Sequence, residues 1–278
     1  MHNSYNTISD AAVLSLLEEV GTTPKPGLVD KRNSGAHRDM DYPLFVKSSN
    51  SLAEYFRECA RLGALDLPQT ELTVKLRKAG VAAEEKMFEA TGGVNTQKGL
   101  IFSMGIMCAG WASLIEEESQ IDDEILRKRF AEISKLLLAK DQATETNGLK
   151  ALEKTGVGGI RKEALSGFAN CFEPGVRTLR EALMRDRSFN GAAVETLLTL
   201  MTVCEDSNVV HRGGIEALRF VQTTAAEMLS RNYDEKKLLE ETSLFDDECI
   251  RRDISPGGAA DLLALTLMIH KITTQKER

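Results

Sequence analysis

Apolar residues recur along nearly the whole chain at spacings of three and four, the spacing that puts them on one face of an α-helix. The pattern predicts helices near 8–20, 42–63, 69–90, 99–117, 121–143, 146–155, 161–170, 174–186, 191–204, 214–231, 234–249 and 258–273. The alternation of apolar and polar positions that marks a half-buried strand does not appear. Segments rich in Val, Ile, Thr and Tyr together are few, so strands have little support. The expected class is all-α. The chain has no low-complexity linker and no repeat at a fixed period. Residues 1–278 are therefore read as one multi-helix globular domain.

Composition narrows the function classes. Hydrophobic residues make up 42% and charged residues 28%, ordinary for a soluble globular protein. The formal net charge of −7 argues against a nucleic-acid binder, which needs a basic footprint. It leaves room for a nucleotide substrate, because a cleft inside an acidic protein can be locally basic. The five cysteines (Cys59, Cys108, Cys171, Cys204 and Cys249) form no CxxC motif and no zinc knuckle. An odd, unclustered set suits reduced thiols, so a cytoplasmic location is expected. The first ten residues are polar, and no secretory signal is expected. The most apolar window, Leu100 to Ile115, is shorter than the ~20 residues that span a bilayer. It reads as a core helix, and no membrane partner is expected.

The loops carry the chemistry. Four are rich in Gly or Pro and dense in polar residues: "TPKPGLVDKRNSGAHRDM" at 23–40, the stretch around 91–99, "EDSNVVHRGG" at 205–214 and "SPGGAADLL" at 255–263. Glycine and proline punctuate helices anyway. That explains the glycines but not the Asp, Asn, His, Lys and Arg residues beside them. Three stretches, 92–99, 213–214 and 257–258, run from a Gly-rich loop into a helix. Helix N-termini present free N–H groups and partial positive charge, and glycine lets phosphate oxygens come close. Lys98 and Arg212 add full charges beside two of them. The P-loop pattern is excluded, because Gly99 follows Lys98 where a Ser or Thr would have to stand.

The carboxylates leave alternatives open. Glu84 falls on or beside an apolar helix face, by its spacing from Val81 and Phe88, and would pair with an arginine or help hold a cation. Asp261 lies in the first turn of an apolar helix, where it suits either the helix dipole or a ligand. Asp206 and Asn208 follow a long apolar helix and read as caps or as ligands. A set of hard oxygen ligands of this kind would suit magnesium, which takes one or two carboxylates and leaves its other positions to phosphates and waters. His37 and His211 sit among polar loop residues, as a general base or as plain hydrogen-bonding groups.

Five blocks taken together resemble the triphosphoribosyl-dephospho-CoA synthase family. They are "EVGTTPKPGLVDKRNSGAHRDMD", "AAEEKMFEATGGVNTQKGLIFSMG", "GGIRKEALSGF", "EDSNVVHRGG" and "FDDECIRRDISPGGAADLLALT", running in order from about Glu19 to Thr266. The resemblance implies an all-α enzyme that joins ATP to 3′-dephospho-CoA and releases adenine. Its product, 2′-(5″-triphosphoribosyl)-3′-dephospho-CoA, would be the prosthetic-group precursor that a downstream transferase loads onto the acyl carrier protein of citrate lyase. Malonate decarboxylase is the alternative destination, and turnover of another nucleotide triphosphate the alternative reaction. This chain departs from the family pattern in three places: Gln97 stands where His is usual, Ser207 where Thr is usual, and "GIRKEA" where the block is usually "GARGEA"-like, with Arg161 and Glu163 kept. Gln97 lacks a titratable ring, which removes proton transfer from that position.

The roles that follow from the resemblance are these. Lys98, Arg212 and the amides around Gly257 and Gly258 would hold the triphosphate. Lys25 and Arg161 would contact phosphate of either substrate. Asn95 and Asn208 would position ribose or base. Asp30 or Asp39 would be the base, and magnesium would be held by some of Asp39, Glu84, Asp206 and Asp261. All of this requires the polar loops to converge on one cleft.

Overall fold

The computed structural model describes residues 2–115, 121–139 and 156–276. Among these residues the chain is all-helical, with no strand. The helices are α1 (His2–Gly21), α2 (Tyr42–Ser51), α3 (Ala53–Gly63), α4 (Gln69–Thr91), α5 (Lys98–Leu114), α6 (Asp123–Ala139), α7 (Gly159–Leu165), α8 (Arg177–Met184), α9 (Phe189–Val203), α10 (Ser207–Ser230), α11 (Glu235–Arg251) and α12 (Gly257–Lys276), with a π-helical turn at Cys171–Val176 before α8. The helix expected at 146–155 lies outside the described residues.

Helix α5 is the centre of the packing. It is apolar on every side, as a helix enclosed by others must be, and it touches α1, α3, α4, α6, α7 and α12. Leu100, Met104, Met107, Cys108, Ala109 and Trp111 are all buried. A fully buried Leu or Met side chain contributes roughly 1.5–3 kcal/mol, which lets this one helix anchor its neighbours. The α3–α5 contact is close because Gly63 lies directly on the Ala109 carbonyl, where an added Cβ would come within 2.0 Å of the oxygen. Helix α12 forms the second buried rod, packing on α1 and α9 through Leu262, Leu263, Leu265, Leu267 and Met268.

Two predicted boundaries moved. The segment 42–63 was expected as one helix, but it breaks at Leu52 into α2 and α3. Around the break Ser49 Oγ donates to the Phe45 carbonyl at 2.9 Å and Ser51 Oγ to the Ser48 carbonyl at 2.7 Å. Serine side chains that bond back to the backbone compete with the helix ladder. The expected loop at 205–214 is largely helical, since α10 already starts at Ser207. Gly214 then interrupts α10 with φ 70° and ψ −171°, a conformation open to glycine. The 213–214 stretch is thus a kink inside a helix rather than a helix start.

The connection between α1 and α2, residues 22–41, is laid against α11. Gly27 N–H donates to Asp246 Oδ1 at 2.8 Å, while Arg32 and Asn33 donate to Asp246 Oδ2 at 2.9 and 2.8 Å. Gly27 has φ 69°, and a Cβ there would lie 2.1 Å from the Ile254 carbonyl oxygen, so only glycine allows this seating.

Candidate active site

A cavity of about 660 Å³ opens where the N-termini of α5, α7, α10 and α12 meet the 22–41 connection. Lys25, Glu84, Asn95, Lys98, Arg161, Asn208, Arg212, Gly257, Gly258 and Asp261 all line it, with Glu19, His37, Gln97, Glu163, Glu205 and Ser255. Residues from Glu19 near the start of the chain to Leu262 near its end therefore share one wall. Asp30, Asp39 and Asp206 do not line it.

Asp206 is a cap. It is buried, its Oδ1 accepts from the N–H groups of Asn208 at 2.9 Å and Val209 at 3.2 Å, and its Oδ2 accepts from Ala259 N–H at 3.1 Å. One carboxylate thus closes the starts of both α10 and α12. Burial pushes its pKa up, and the backbone donors pull it back. Both oxygens are thus engaged by backbone N–H groups, which is the capping reading of the two that the sequence left open. Changing Asp206 to Ala is expected to lower stability by about 1–4 kcal/mol, two caps at roughly 0.5–2 kcal/mol each, and to leave the magnesium midpoint of the residual activity where it was. Thermal melts and a magnesium titration check this; a shifted midpoint with an unchanged melt would restore the metal role.

Asp30 is likewise a local organiser. It is buried, accepts from the Thr23 hydroxyl and the Lys25 N–H through Oδ2 at 2.8 and 2.9 Å, and from the Arg32 and Asn33 N–H groups through Oδ1 at 2.6 and 3.0 Å. Four donors engage both oxygens, and Asp30 lies outside the cavity lining. Asp39 is exposed on the connection, with its charge beside His37 rather than in the cavity. The four-carboxylate metal set does not assemble: among the described residues no three His, Cys, Asp or Glu side chains gather to hold an ion.

The cavity wall has two electrical characters. Lys98 stands half exposed at the first turn of α5 with its ammonium 2.7 Å from Glu84. Arg161 and Arg212 line the same space. Deeper in, Lys25 is buried against Glu19 as an ion pair. Burial raises the Glu19 pKa, against the pull of Lys25. Asp261 faces the cavity from the second turn of α12 and lies against Gly99, where an added Cβ would fall 2.3 Å from its Oδ2. Glycine at 99 is what leaves room for it. Among the described residues no hydrogen-bond donor is assigned to Asp261, and its pKa is pushed well above the usual carboxylate range by burial, then by the charges of Glu19 and Asp206. Glu163 is also raised by burial, with Asn170 donating to it. Burial and the charge of Arg212 hold His37 below the ordinary imidazole range, against Asp39 and Asp253, so the ring is neutral at pH 7.

The N-terminus of α5 is weakly capped. Its N-cap, Gln97, makes no side-chain cap bond, and Asn95 Oδ1 reaches only the Lys98 N–H, at 3.3 Å. The Gln97 amide is turned away to α2, accepting from Ser48 Oγ at 3.0 Å and donating to Ser49 Oγ at 2.9 Å. This residue ties the α5 entry to α2. Sequence reasoning passed over Glu19, Glu205 and Asp246. Glu205 accepts from the Gly158 N–H at 2.8 Å and closes the start of α7. A helical spacing shows only that such residues lie near a helix end, which gave no signal to separate them from solvated charges.

Fold and site together define an all-helical protein with one cavity at a meeting of helix N-termini, where Lys98 and Gly99 of α5, Arg161, Arg212 and the Asp261 carboxylate share the wall. The chain belongs to the CitG family, described as ATP:dephospho-CoA triphosphoribosyl transferase, whose model matches residues 5–278. It is accordingly a transferase. It is 36% identical over 274 residues to a probable 2-(5″-triphosphoribosyl)-3′-dephosphocoenzyme-A synthase of Vibrio cholerae, covering 95% of this chain and 88% of that one. A second probable synthase of that name, from Streptococcus mutans, is 36% identical over 282 residues, 94% of each chain. Protein CitXG of Haemophilus influenzae is 33% identical over 282 residues, covering 96% of this chain and 60% of that protein. No solved structure matches the chain.

Proposed function

We propose that the cavity binds ATP and 3′-dephospho-CoA together and moves the triphosphoribosyl group between them. The new bond joins the ribose C1′ of ATP to the 2′-oxygen of the acceptor. The C1′–N9 bond to adenine breaks with its electron pair going to the base, adenine takes up one proton from water, and the 2′-hydroxyl proton passes to the enzyme and from there back to water, so no net proton is gained or lost. Such a displacement has oxocarbenium character at C1′. It needs the triphosphate held at one end and a proton acceptor at the other. Lys98, Arg161, Arg212 and the start of α5 are the groups for the triphosphate, by charge-assisted hydrogen bonds and the helix N-terminus. Asp261 takes the place that Asp30 or Asp39 was expected to fill. It is the carboxylate that faces the cavity without a donor, and a raised pKa suits a general base. Asn95 and Asn208 position ribose or base, with Gly257 and Gly258 leaving room for the ligand.

Magnesium enters this scheme as the counter-ion of the triphosphate, since the protein side chains do not form a cage for it. The product serves the acyl-carrier prosthetic group of citrate lyase in the cytoplasm, passed on to a downstream transferase.

One observation carries the reading: the convergence of three cations, an open helix start and Asp261 on one cavity, in a chain of this family. Incubation with ATP, magnesium and 3′-dephospho-CoA should release free adenine and give a product with the summed mass of the two substrates less adenine. Release of ADP or AMP instead would sink it.

A further inference from the structure

Ser255 ends the connection between α11 and α12. It is only 3% exposed, yet it lines the cavity. Its Oγ is 2.8 Å from His37 Nε2. Behind the ring stands Arg212, whose Nη2 is 3.4 Å from His37 Nδ1. The other terminal nitrogen of that guanidinium donates to the Ala36 carbonyl at 3.0 Å and to Asp253 Oδ1 at 2.8 Å, which fixes the arginine in place.

A guanidinium has donors only. Nδ1 of His37 therefore meets Arg212 with its lone pair, and the neutral ring carries its proton on Nε2. That N–H donates to Ser255 Oγ. The serine's own proton is left over, and among the described residues no acceptor is assigned to it. The serine backbone is held as well, since its carbonyl accepts from the Gly257 N–H at 2.9 Å. The arrangement is a chain of donors, arginine to imidazole to hydroxyl, ending in one O–H on the cavity wall.

The geometry points to Ser255 as a substrate-positioning residue, its hydroxyl oriented by His37 to donate a hydrogen bond to a phosphate oxygen of the bound nucleotide. Phosphate is the chemistry of that corner, because the Gly257–Gly258 start of α12 and the Arg212 charge flank it. The oxygen belongs either to the triphosphate of ATP or to the diphosphate of the acceptor. The inference rests on the function proposed above.

Calorimetric titrations of the full chain with magnesium–ATP, and separately with 3′-dephospho-CoA, test it in wild type, Ser255→Ala, Ser255→Thr and His37→Gln. The Gln amide N–H stands in for the Nε2 proton. Ser255→Ala is expected to weaken one of the two ligands about tenfold to a hundredfold, the range of a hydrogen bond to a charged partner. Its KM for that ligand should rise more than its kcat falls. The ligand affected identifies which phosphate is met. Ser255→Thr and His37→Gln should each keep most of the affinity. Unchanged binding of both ligands by Ser255→Ala overturns the inference, as does a Ser255→Thr variant that loses as much as Ala, since that is a packing effect. A wild-type chain that binds neither ligand overturns the functional reading itself, and this inference with it.

Discussion

Changing Asp261 to Asn is expected to lower turnover about 10²–10⁴-fold, the usual contribution of a positioned proton acceptor. Asn has nearly the same shape, so it fits against Gly99 as Asp does. The same substitution should make the unliganded protein more stable at neutral pH. Asp261 is charged there in the unfolded chain, near its ordinary value of 3.8, while burial raises its pKa well above that in the fold. Between those two values the folded state binds the extra proton. Stability therefore falls as pH rises through that window. An amide has no proton to lose, so the variant should lack this decline and melt higher by a few degrees, about 2–4 °C for roughly 1 kcal/mol. Single-turnover adenine release and melts across pH 4–8 read both arms. Turnover within a few-fold of wild type would remove Asp261 from the chemistry; a lower melting temperature would make it a structural carboxylate.

Changing Lys98 to Ala should reduce kcat/KM for ATP about 10²–10³-fold, the loss seen when one preorganised charge-stabilising donor is removed. The fold should hardly notice. The Lys98–Glu84 pair is substantially exposed, with side-chain exposures of 49% and 30%, and such pairs contribute about 0–1 kcal/mol. The helical circular dichroism and the melt should stay within experimental scatter of wild type. The loss should also shrink as salt rises, because salt screens the wild-type contact. Normal adenine release by this variant would take Lys98 out of the mechanism.

The helices were legible because their signal is local. The apolar run from Leu100 onward already read as a buried helix, and α5 is that helix. The polar loops were legible too, and ten of the nominated residues line one cavity. The choice among the carboxylates was less legible. Asp206 and Asn208 were read as caps or ligands alike, and nothing nearby in the sequence decides between them. The choice turns on the Ala259 N–H, 53 residues further on, which occupies the second oxygen of Asp206. Asp30 differs, because all its donors lie within seven residues. Its capture is an Asx-type turn, a local pattern that the sequence does contain.

The amino-acid order by itself determined the helical class, the placement of most helices and the family. Side-chain periodicity, glycine placement and charge are properties of neighbouring residues. Only the tertiary structure decided which carboxylate stays available. An oxygen's chemistry depends on how many donors reach it and how far it lies from water, and for Asp206 and Asp261 both are set by helices that are distant in the chain. Asp206 is satisfied by α10 and α12. Asp261, three residues after Gly258, lies partly exposed to the cavity beside Gly99 with no donor assigned among the described residues, and it is the residue on which the proposed chemistry depends.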